Sequence, residues 1–169
     1  MNQSNNIPLV SVIMPSYNQG EFIEKAINSI LGQTQSNWEL IIVDGGSTDD
    51  TLKVIKKYKK YIKHFISEPD KGQVDAIKKG FKFASGKIYC WLNSDDIFWP
   101  QTIEIVSHVL SGEKYSWVYG EGTKLAYSKK KNDFRESKMY VTKNEHRNLN
   151  MRYRLFQPAI FFTKEILTN

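Results

Sequence analysis

Two adjacent carboxylates in the middle of the chain are the residues whose types and spacing point most directly to chemistry. Asp95 and Asp96 follow Asn93 and Ser94 at the end of an apolar segment, residues 88–92. Neighbouring carboxylates repel each other unless a cation or several hydrogen-bond donors lie between them. Mg²⁺ and Mn²⁺ are usually bound by one or two carboxylates, with substrate phosphates and water completing the shell. The pair therefore predicts a divalent-cation site with Asp95 and Asp96 as ligands.

A simpler role for Asp95 is open at this point. Loops that lead from a strand into a helix often end in Asp or Asn, whose side chain caps the helix, and Pro100 would suit a first helical turn. Capping would explain one aspartate. It would leave the second carboxylate and Asn93 without a function.

The first four apolar segments all end in polar residues that favour turns: 15–20, 44–50, 68–72 and 93–96. In an open α/β sheet the carboxyl ends of the strands line one crevice, where ligands bind. Turn chemistry alone could place Asn, Asp and Gly in these loops, but the returns at 34–37 and 85–87 contain no acid. We therefore expect these side chains to converge: Tyr17, Asn18, Asp44, Asp70, Lys71, Asp95 and Asp96.

The elements that must position these residues alternate between strand and helix. Strands are predicted at 9–14, 38–43, 64–67 and 88–92, where nearly continuous apolar runs are typical of a sheet covered on both faces. Four helices are predicted from apolar residues at helical spacing. Thr48 or Asp49 is expected to cap the start of the second helix, and Gly86 to end the third. Their apolar residues are Ile23, Ala26, Ile27, Ile30 and Leu31, then Leu52, Ile55 and Tyr58, then Val74, Ile77, Phe81 and Ala84, then Ile103, Val106, Val109 and Leu110. This order indicates an α/β fold with a mostly parallel sheet and right-handed crossovers.

The pattern changes after a fifth predicted strand at 117–119. Segments 124–127 and 134–141 read as a hairpin around the turn 129–133. Residues 144–153 are polar and basic without a clear period, and 157–162 is predicted to be a last strand.

Composition and net charge limit the kinds of partner that this chain is expected to bind. The 169 residues suit one domain, and the charge of +6 favours anionic partners such as phosphorylated metabolites, nucleic acid or an acidic membrane face. Nucleic acid is not expected, because the basic residues do not interleave with aromatic ones on one predicted surface. The single Cys90, inside an apolar strand, is expected to be a small buried residue and fits a reducing compartment. With no signal peptide and no membrane-spanning run, a cytoplasmic location is expected.

The second predicted helix carries a run of lysines between Lys53 and Lys63. Such a run is usually a solvated helix face. The alternative is peripheral contact with an anionic membrane surface, which would place the chain at the inner membrane face.

Four blocks in this order resemble family 2 glycosyltransferases of the GT-A fold. Residues 12–18 resemble the first-strand motif of that family, and 42–49 its second-strand nucleotide motif. The segment 70–72, followed by Gly80 and Gly86, is similar to the third-helix region. The segment 92–96 with Pro100 resembles the metal-binding Asp-x-Asp region. The likeness covers residues 9–120.

The polar residues at 1–8 are expected to form a flexible leader. The resemblance implies a nucleotide-sugar-binding domain at 9–120 and, at 121–169, a partly formed, truncated acceptor-side region with a hairpin and a final strand. It implies that Tyr17 stacks on the nucleotide base, that Asp44 accepts a hydrogen bond from the base, and that Asp95 ligates the ion bridging the two phosphates. A plain surface role is equally open for Lys71. The implied nucleotide-binding set is Pro15, Ser16, Tyr17, Asn18, Asp44, Gly46, Asp70, Lys71, Gly72, Asn93, Ser94 and Asp95.

The sequence departs from the family pattern at three places. Asn93 stands where many members have an aspartate, so fewer charges are expected to hold the ion. Gly45 replaces a common second acid after Asp44. Ile77 and Lys78 stand where an Arg-Asn pair is frequent.

The implied activity is transfer of a sugar from a nucleotide-diphosphate sugar, most typically a UDP-sugar, to the hydroxyl of a glycan or lipid-linked acceptor, with Mn²⁺ or Mg²⁺ and with inversion. The catalytic base is not assigned: Glu121, Glu136, Glu145 and Glu165 stand in no recognisable motif. The alternative is a non-catalytic sugar-nucleotide-binding module without the acceptor site. A nucleotidyltransferase is not favoured, because residues 15–20 are not a Gly-rich, Arg-bearing loop. Dinucleotide binding is not expected, because no G-x-G-x-x-G follows a strand.

Overall fold

A computed structural model of the chain describes residues 9–114, 116–120, 122–128, 133–139 and 160–168. Expectations for the leader at 1–8, the basic segment 144–153, the start of the last strand at 157–159, and Glu121 and Glu145 lie outside the described residues.

The described chain contains a six-stranded sheet in the order β3-β2-β1-β4-β8-β5 and a separate two-stranded sheet, β6-β7. The strands are β1 Val10–Ser16, β2 Trp38–Asp44, β3 His64–Ser67, β4 Ile88–Trp91, β5 Trp117–Tyr119, β6 Gly122–Ser128, β7 Asp133–Met139 and β8 Ile160–Thr163. The helices are α1 Ile23–Leu31, α2 Thr51–Lys57, α3 Gln73–Phe81 and α4 Thr102–Val109. Short 3₁₀ turns follow α2 at Lys59–Tyr61 and β8 at Lys164–Thr168.

The first four strands are parallel, as the alternating pattern predicts. In register, Ser16 at the end of β1 lies opposite Asp44 at the end of β2, and Asp44 lies opposite Ser67 at the end of β3. The three strands therefore end at one edge of the sheet. The fold is a mixed α/β fold with a mostly parallel sheet.

The last strand, β8, enters the sheet antiparallel between β4 and β5. Two buried aromatic residues hold it there. Phe161 packs against Phe98 with ring centroids 5.4 Å apart, and Phe162 packs against Tyr89 at 6.2 Å. Because adjacent residues of a strand point to opposite faces, this one short strand is buried on both sides.

Helices cover both faces of the sheet. Buried residues of α1, α2 and α4 share one core cluster with Val12, Met14, Leu40 and Ile42 of the central strands. The helix α3 covers the other face, where Ala76 meets Ile41 and Val43. Since β1 and β2 are buried on both faces, their runs are continuously apolar.

Three residues that the spacing predicts for buried helix faces are instead exposed: Leu52 by 38%, Val74 by 64% and Val109 by 52%. In α3 the closest approach to the sheet is made by a glycine. A Cβ atom on Gly80 would lie 2.5 Å from Cγ2 of Ile13. The helix therefore packs through Ala76 and Gly80, which turns Val74 outward.

The prediction that Gly86 closes α3 is wrong, because the helix ends at Phe81. A Cβ atom on Gly86 would lie 2.5 Å from the backbone oxygen of Leu9, so this glycine permits close approach of the returning chain to β1. Similarly, α2 has Asp50 at its N-cap, with no side-chain capping bond, rather than Thr48 or Asp49. The Asp49 carboxylate does accept a 3.0 Å hydrogen bond from the backbone N–H of Thr51.

The two strands of the predicted hairpin are present where the structure describes them; the predicted turn residues 129–132 and residues 140–141 lie outside the described residues. Strands β6 and β7 pair antiparallel, with Ser128 opposite Asp133 at the turn end and Gly122 opposite Met139 at the other. Cys90 is fully buried, as expected, and burial raises the pKa of its thiol. No helix in the described ranges combines the length and the apolar character that crossing a bilayer requires.

Candidate functional site

An open cleft of about 630 Å³ lies at the carboxyl ends of β1 to β4, where the sequence predicts a crevice. Every one of the four polar segments contributes to it. The lining residues are Pro15, Ser16, Tyr17, Gln19, Gly45, Pro69, Asp70, Gly72, Gln73, Ala76, Asn93, Ser94 and Asp95.

Asn18 joins the two loops that form one wall of the cleft. Its backbone N–H donates to Oγ of Ser47 at 2.8 Å, and its Oδ1 accepts from the N–H of Thr48 at 2.9 Å. Its φ of 51° lies in the left-handed region, which Asn tolerates better than most residues. This turn leaves the preceding Tyr17 ring at the cleft, 60% exposed.

Asp44 lies fully buried beneath this wall. Its Oδ2 accepts hydrogen bonds from the N–H of Gly46 at 3.1 Å, from the N–H of Ser47 at 2.9 Å and from Oγ of Ser67 at 2.8 Å. Its Oδ1 accepts from the Ser47 hydroxyl. The carboxylate thus organises the loop after β2, including Gly46, whose φ is 84°. In this structure its acceptors are directed to the loop rather than to the cleft.

The space beside Gly45 is occupied by another acid. A Cβ atom on Gly45 would lie 2.9 Å from Oδ2 of Asp70. Asp70 also accepts a 2.8 Å hydrogen bond from the N–H of Gly72, which precedes α3 with a φ of 104°. Where the family pattern has a second acid after Asp44, this chain has Gly45, and the Asp70 carboxylate from the next loop lies beside that glycine. Lys71 is exposed beside it.

The loop after β4 carries the carboxylate pair, of which Asp95 lines the cleft. Buried Ser94 ties this loop to β1 by donating to the backbone oxygen of Pro15 at 3.0 Å. Asp95 lines the cleft and is exposed, whereas Asp96 is half-buried and accepts a 3.0 Å hydrogen bond from Nδ2 of Asn93. Burial, together with the adjacent Asp95 carboxylate, raises the pKa of Asp96, although the Asn93 hydrogen bond opposes the rise.

Capping does not explain Asp95. The helix α4 begins at Thr102 with Gln101 at its N-cap, six residues after Asp95, so the aspartate serves no helix start. The alternative interpretation of this carboxylate is thereby excluded.

The oxygen atoms of Asp95 and Asp96 suit a hard divalent cation. Within the described ranges, no group of three or more His, Cys, Asp or Glu residues is arranged to hold a metal ion. Two carboxylates with an unfavourable mutual repulsion fit an ion that takes its remaining ligands from phosphate and water. The donor set is therefore compatible with Mg²⁺ or Mn²⁺ that arrives with a substrate.

Two buried oxygen atoms in the cleft wall, Oγ of Ser16 and Oε1 of Gln19, have no hydrogen-bond partner in the described part of the chain. Buried polar atoms are usually satisfied by protein, water or ligand. Both atoms are therefore available to a polar ligand in the cleft.

Sequence reasoning missed five lining residues: Gln19, Gly45, Pro69, Gln73 and Ala76. Gln73 and Ala76 form the first turn of α3, directly after Gly72, so the position of the helix start could have indicated them. Of the candidate bases, Glu165 lies at a separate cavity beside Lys87 and Ile88, at the opposite end of β4. Glu136 lies on β7 in the separate sheet.

Comparison with known proteins places this geometry in a family. A family model described as "Glycosyl transferase family 2" matches residues 11–165. The chain is similar to the UDP-Glc:alpha-D-GlcNAc-diphosphoundecaprenol beta-1,3-glucosyltransferase WfgD of Escherichia coli, with 39% identity over 113 residues, 66% of this chain and 45% of that protein.

Two solved structures share the fold. Residues 1–349 of S. aureus TarS align with a TM-score of 0.59 and 25% identity, covering 64% of this chain and 34% of that one. The mannosyltransferase PcManGT from Pyrobaculum calidifontis, in complex with GDP-Man and Mn²⁺, aligns with a TM-score of 0.58 and 25% identity, covering 66% and 35%. The chain therefore spans less than half the length of these relatives.

Proposed function

Because this chain belongs to glycosyl transferase family 2, we propose that it binds a nucleotide-sugar donor in the cleft and transfers the sugar to an acceptor hydroxyl. The observation that carries the proposal is the convergence of Tyr17, Asp70 and Asp95 from three separate loops on one cleft. An aromatic ring, a hydrogen-bonding acid and a metal-binding carboxylate are the groups that a base, a ribose or sugar, and a diphosphate require.

The proposed roles follow the positions of the side chains. The exposed Tyr17 ring offers a stacking surface for the base. The unpartnered Ser16 and Gln19 oxygens face a donor in the same cleft, and Lys71 and Gly72 lie along it. Asp95 and Asp96 would hold the cation, which when bound would offset the negative charge that develops on the departing diphosphate. The acceptor must lose a proton, so a general base is also needed. We propose inversion at the sugar, and leave the base unassigned.

We favour a UDP-sugar as donor and a lipid-linked glycan as acceptor. WfgD is named for UDP-Glc and for GlcNAc-diphosphoundecaprenol, while PcManGT was solved with GDP-Man. The preference for a UDP-sugar therefore rests on the sequence similarity to WfgD.

The test combines binding and turnover. We expect calorimetry to show UDP binding that tightens when Mn²⁺ is added, and we expect UDP release from a UDP-sugar in the presence of a lipid-linked acceptor. Binding without release would favour the alternative of a sugar-nucleotide-binding module. No binding of UDP or GDP, with or without Mn²⁺, would refute the proposal.

Replacing Tyr17 by alanine should weaken UDP binding by about 1–3 kcal/mol, the range measured for bases stacked on aromatic side chains in nucleic-acid sites. Tyr17→Phe keeps the ring and should bind nearly as well as the natural chain. Calorimetric dissociation constants of the three proteins decide the question. Equal affinities for Tyr17→Ala and the natural chain would show that the ring does not stack.

We also propose that a lysine surface on and after α2 contacts an anionic membrane. The surface consists of Lys56, Lys59, Lys60 and Lys63 with the exposed aromatic residues Tyr61 and Phe65. Among the described residues, no carboxylate lies within 4 Å of these four lysines, whereas Lys53 and Lys57 pair with Asp50 and Glu24. Exposed rings beside lysines that have no carboxylate within 4 Å among the described residues suit lipid headgroups, and Lys60 lies over the Tyr61 ring at 4.7 Å. The contact would place the chain at the cytoplasmic face of the membrane.

Changing these four lysines to glutamine should weaken binding to vesicles that contain anionic lipid. Each lysine near such a surface contributes about 1 kcal/mol, so we expect a loss of roughly 100-fold or more. A matched control changes four other exposed lysines, Lys25, Lys82, Lys87 and Lys164, with the same change in net charge. Co-sedimentation measures both. Equal losses in the two variants would indicate attraction by net charge rather than by this surface.

A further inference from the structure

Two side-chain amides connect the start of α3 to the carboxylate pair. Nε2 of Gln73 donates to Oδ1 of Asn93 at 2.5 Å, and Nδ2 of Asn93 donates to Oδ2 of Asp96 at 3.0 Å. Gln73 is the first residue of α3, and Asn93 follows β4. Gln73 and Asn93 both line the cleft, so this chain of hydrogen bonds runs from one wall to the other.

The chemistry of residue 93 explains why it is an amide here. Asn93 accepts a hydrogen bond at one atom of its side chain and donates one at the other, and only an amide can do both at this length. An aspartate at this position could accept from Gln73 but could not donate to Asp96, and it would add a third carboxylate beside two that already repel each other. Asn93, which stands where many members of the family have an aspartate, is thus hydrogen-bonded to Gln73 in this chain.

We propose that Gln73 is a positioning residue that acts through Asn93 on Asp96. The bond from Gln73 fixes the plane of the Asn93 amide, and that amide in turn fixes the Asp96 carboxylate beside Asp95. The two aspartates are then held in one orientation before a cation and its diphosphate arrive. This inference rests on the proposed function for the identity of the diphosphate, but it concerns the chain's own carboxylates.

Preorganisation of this kind should appear in cation affinity. Groups that orient metal ligands typically change metal affinity by 10- to 100-fold when they are removed. We expect Gln73→Leu, which keeps the bulk and removes the donor, to weaken Mn²⁺ binding roughly 10-fold. Asn93→Leu should have a similar effect. If the two residues act in series, the double variant should be little worse than either single one, because residues in one network are not additive.

The experiment measures free Mn²⁺ by electron paramagnetic resonance in titrations of the full chain with Mn²⁺ alone, and then UDP affinity by calorimetry without metal. Gln101→Ala is the control, since Gln101 is an exposed glutamine at the start of α4. Weaker Mn²⁺ binding by Gln73→Leu, with metal-free UDP affinity changed less than about twofold, supports the positioning role. A parallel loss of both affinities would mean that Gln73 merely shapes the cleft wall, and overturns it.

The two proposals fail differently. If the natural chain binds Mn²⁺ but no nucleotide, the proposed function fails while the Mn²⁺ titrations still judge Gln73. If Gln73→Leu binds Mn²⁺ as the natural chain does, the inference is overturned even though UDP binds. If the natural chain binds no Mn²⁺ in the titration with Mn²⁺ alone, the inference also falls.

Discussion

Replacing Asp95 by alanine is expected to remove the part of UDP binding that depends on Mn²⁺, while the fold stays intact. Asp95 is exposed at the cleft, and its carboxylate lies beside half-buried Asp96. Loss of a residue that only orients a metal ligand costs up to about 100-fold in metal affinity, so loss of a direct ligand should cost at least roughly that much. Exposed substitutions away from packing change unfolding free energy by less than about 0.5 kcal/mol.

Calorimetry with and without Mn²⁺, beside a denaturant titration, separates the two effects. Asp95→Asn keeps the shape of the side chain and removes its charge, so it should bind nearly as poorly as Asp95→Ala. Glu113→Ala removes an exposed acid outside the cleft and should change neither measurement. An unchanged dissociation constant in the presence of Mn²⁺ would rule out Asp95 as a ligand.

Much of the cleft could be predicted from sequence because each of its walls is a loop that directly follows a strand. Continuous apolar runs mark strands that are buried on both faces, and each run ends near residues that favour turns, such as Gly45 or Asn93. Parallel strands bring their carboxyl ends to the same edge. The proximity of Tyr17, Asp70 and Asp95 therefore follows from the order of elements alone.

The remaining features depend on contacts between distant parts of the chain. The insertion of β8 between β4 and β5 depends on pairing of Ile88 with Thr163 and of Trp117 with Phe162, which no local pattern encodes. The outward position of Val74 depends on how closely Gly80 approaches Ile13. The bridge from Gln73 to Asn93 depends on the distance between a helix start and a strand end.

Asp44 shows that the position of a residue at a strand end can be predicted from sequence while its surroundings stay unknown. Its place at the end of β2 predicts a position at the crevice; in the structure Asp44 does end β2, and the next residue, Gly45, lines the cleft whereas Asp44 does not. The structure also shows Asp44 fully buried with four hydrogen bonds to Gly46, Ser47 and Ser67. None of those bonds tests a contact between Asp44 and the base, so that contact stays a prediction.

Replacing Asp44 by alanine should therefore destabilise the fold by about 3–4 kcal/mol, since hydrogen bonds to a charged group contribute roughly 1.5–3 kcal/mol each and do not add fully. That is a large share of the 5–15 kcal/mol typical of a domain. Asp44→Asn keeps an acceptor for the three donors at Oδ2 and should lose only about 1 kcal/mol.

Denaturant titrations rank the two variants, and Asp44→Asn, which stays folded, is then titrated with UDP. A cost below about 1 kcal/mol for Asp44→Ala would contradict the structural role, whereas a folded Asp44→Asn with much weaker UDP binding would favour the base contact. Replacing Asp95 is thus expected to change ligand binding but not stability, whereas replacing Asp44 by alanine is expected to change stability. The reason is that the Asp95 carboxylate is open to the ligand, whereas the Asp44 carboxylate accepts hydrogen bonds from the loop.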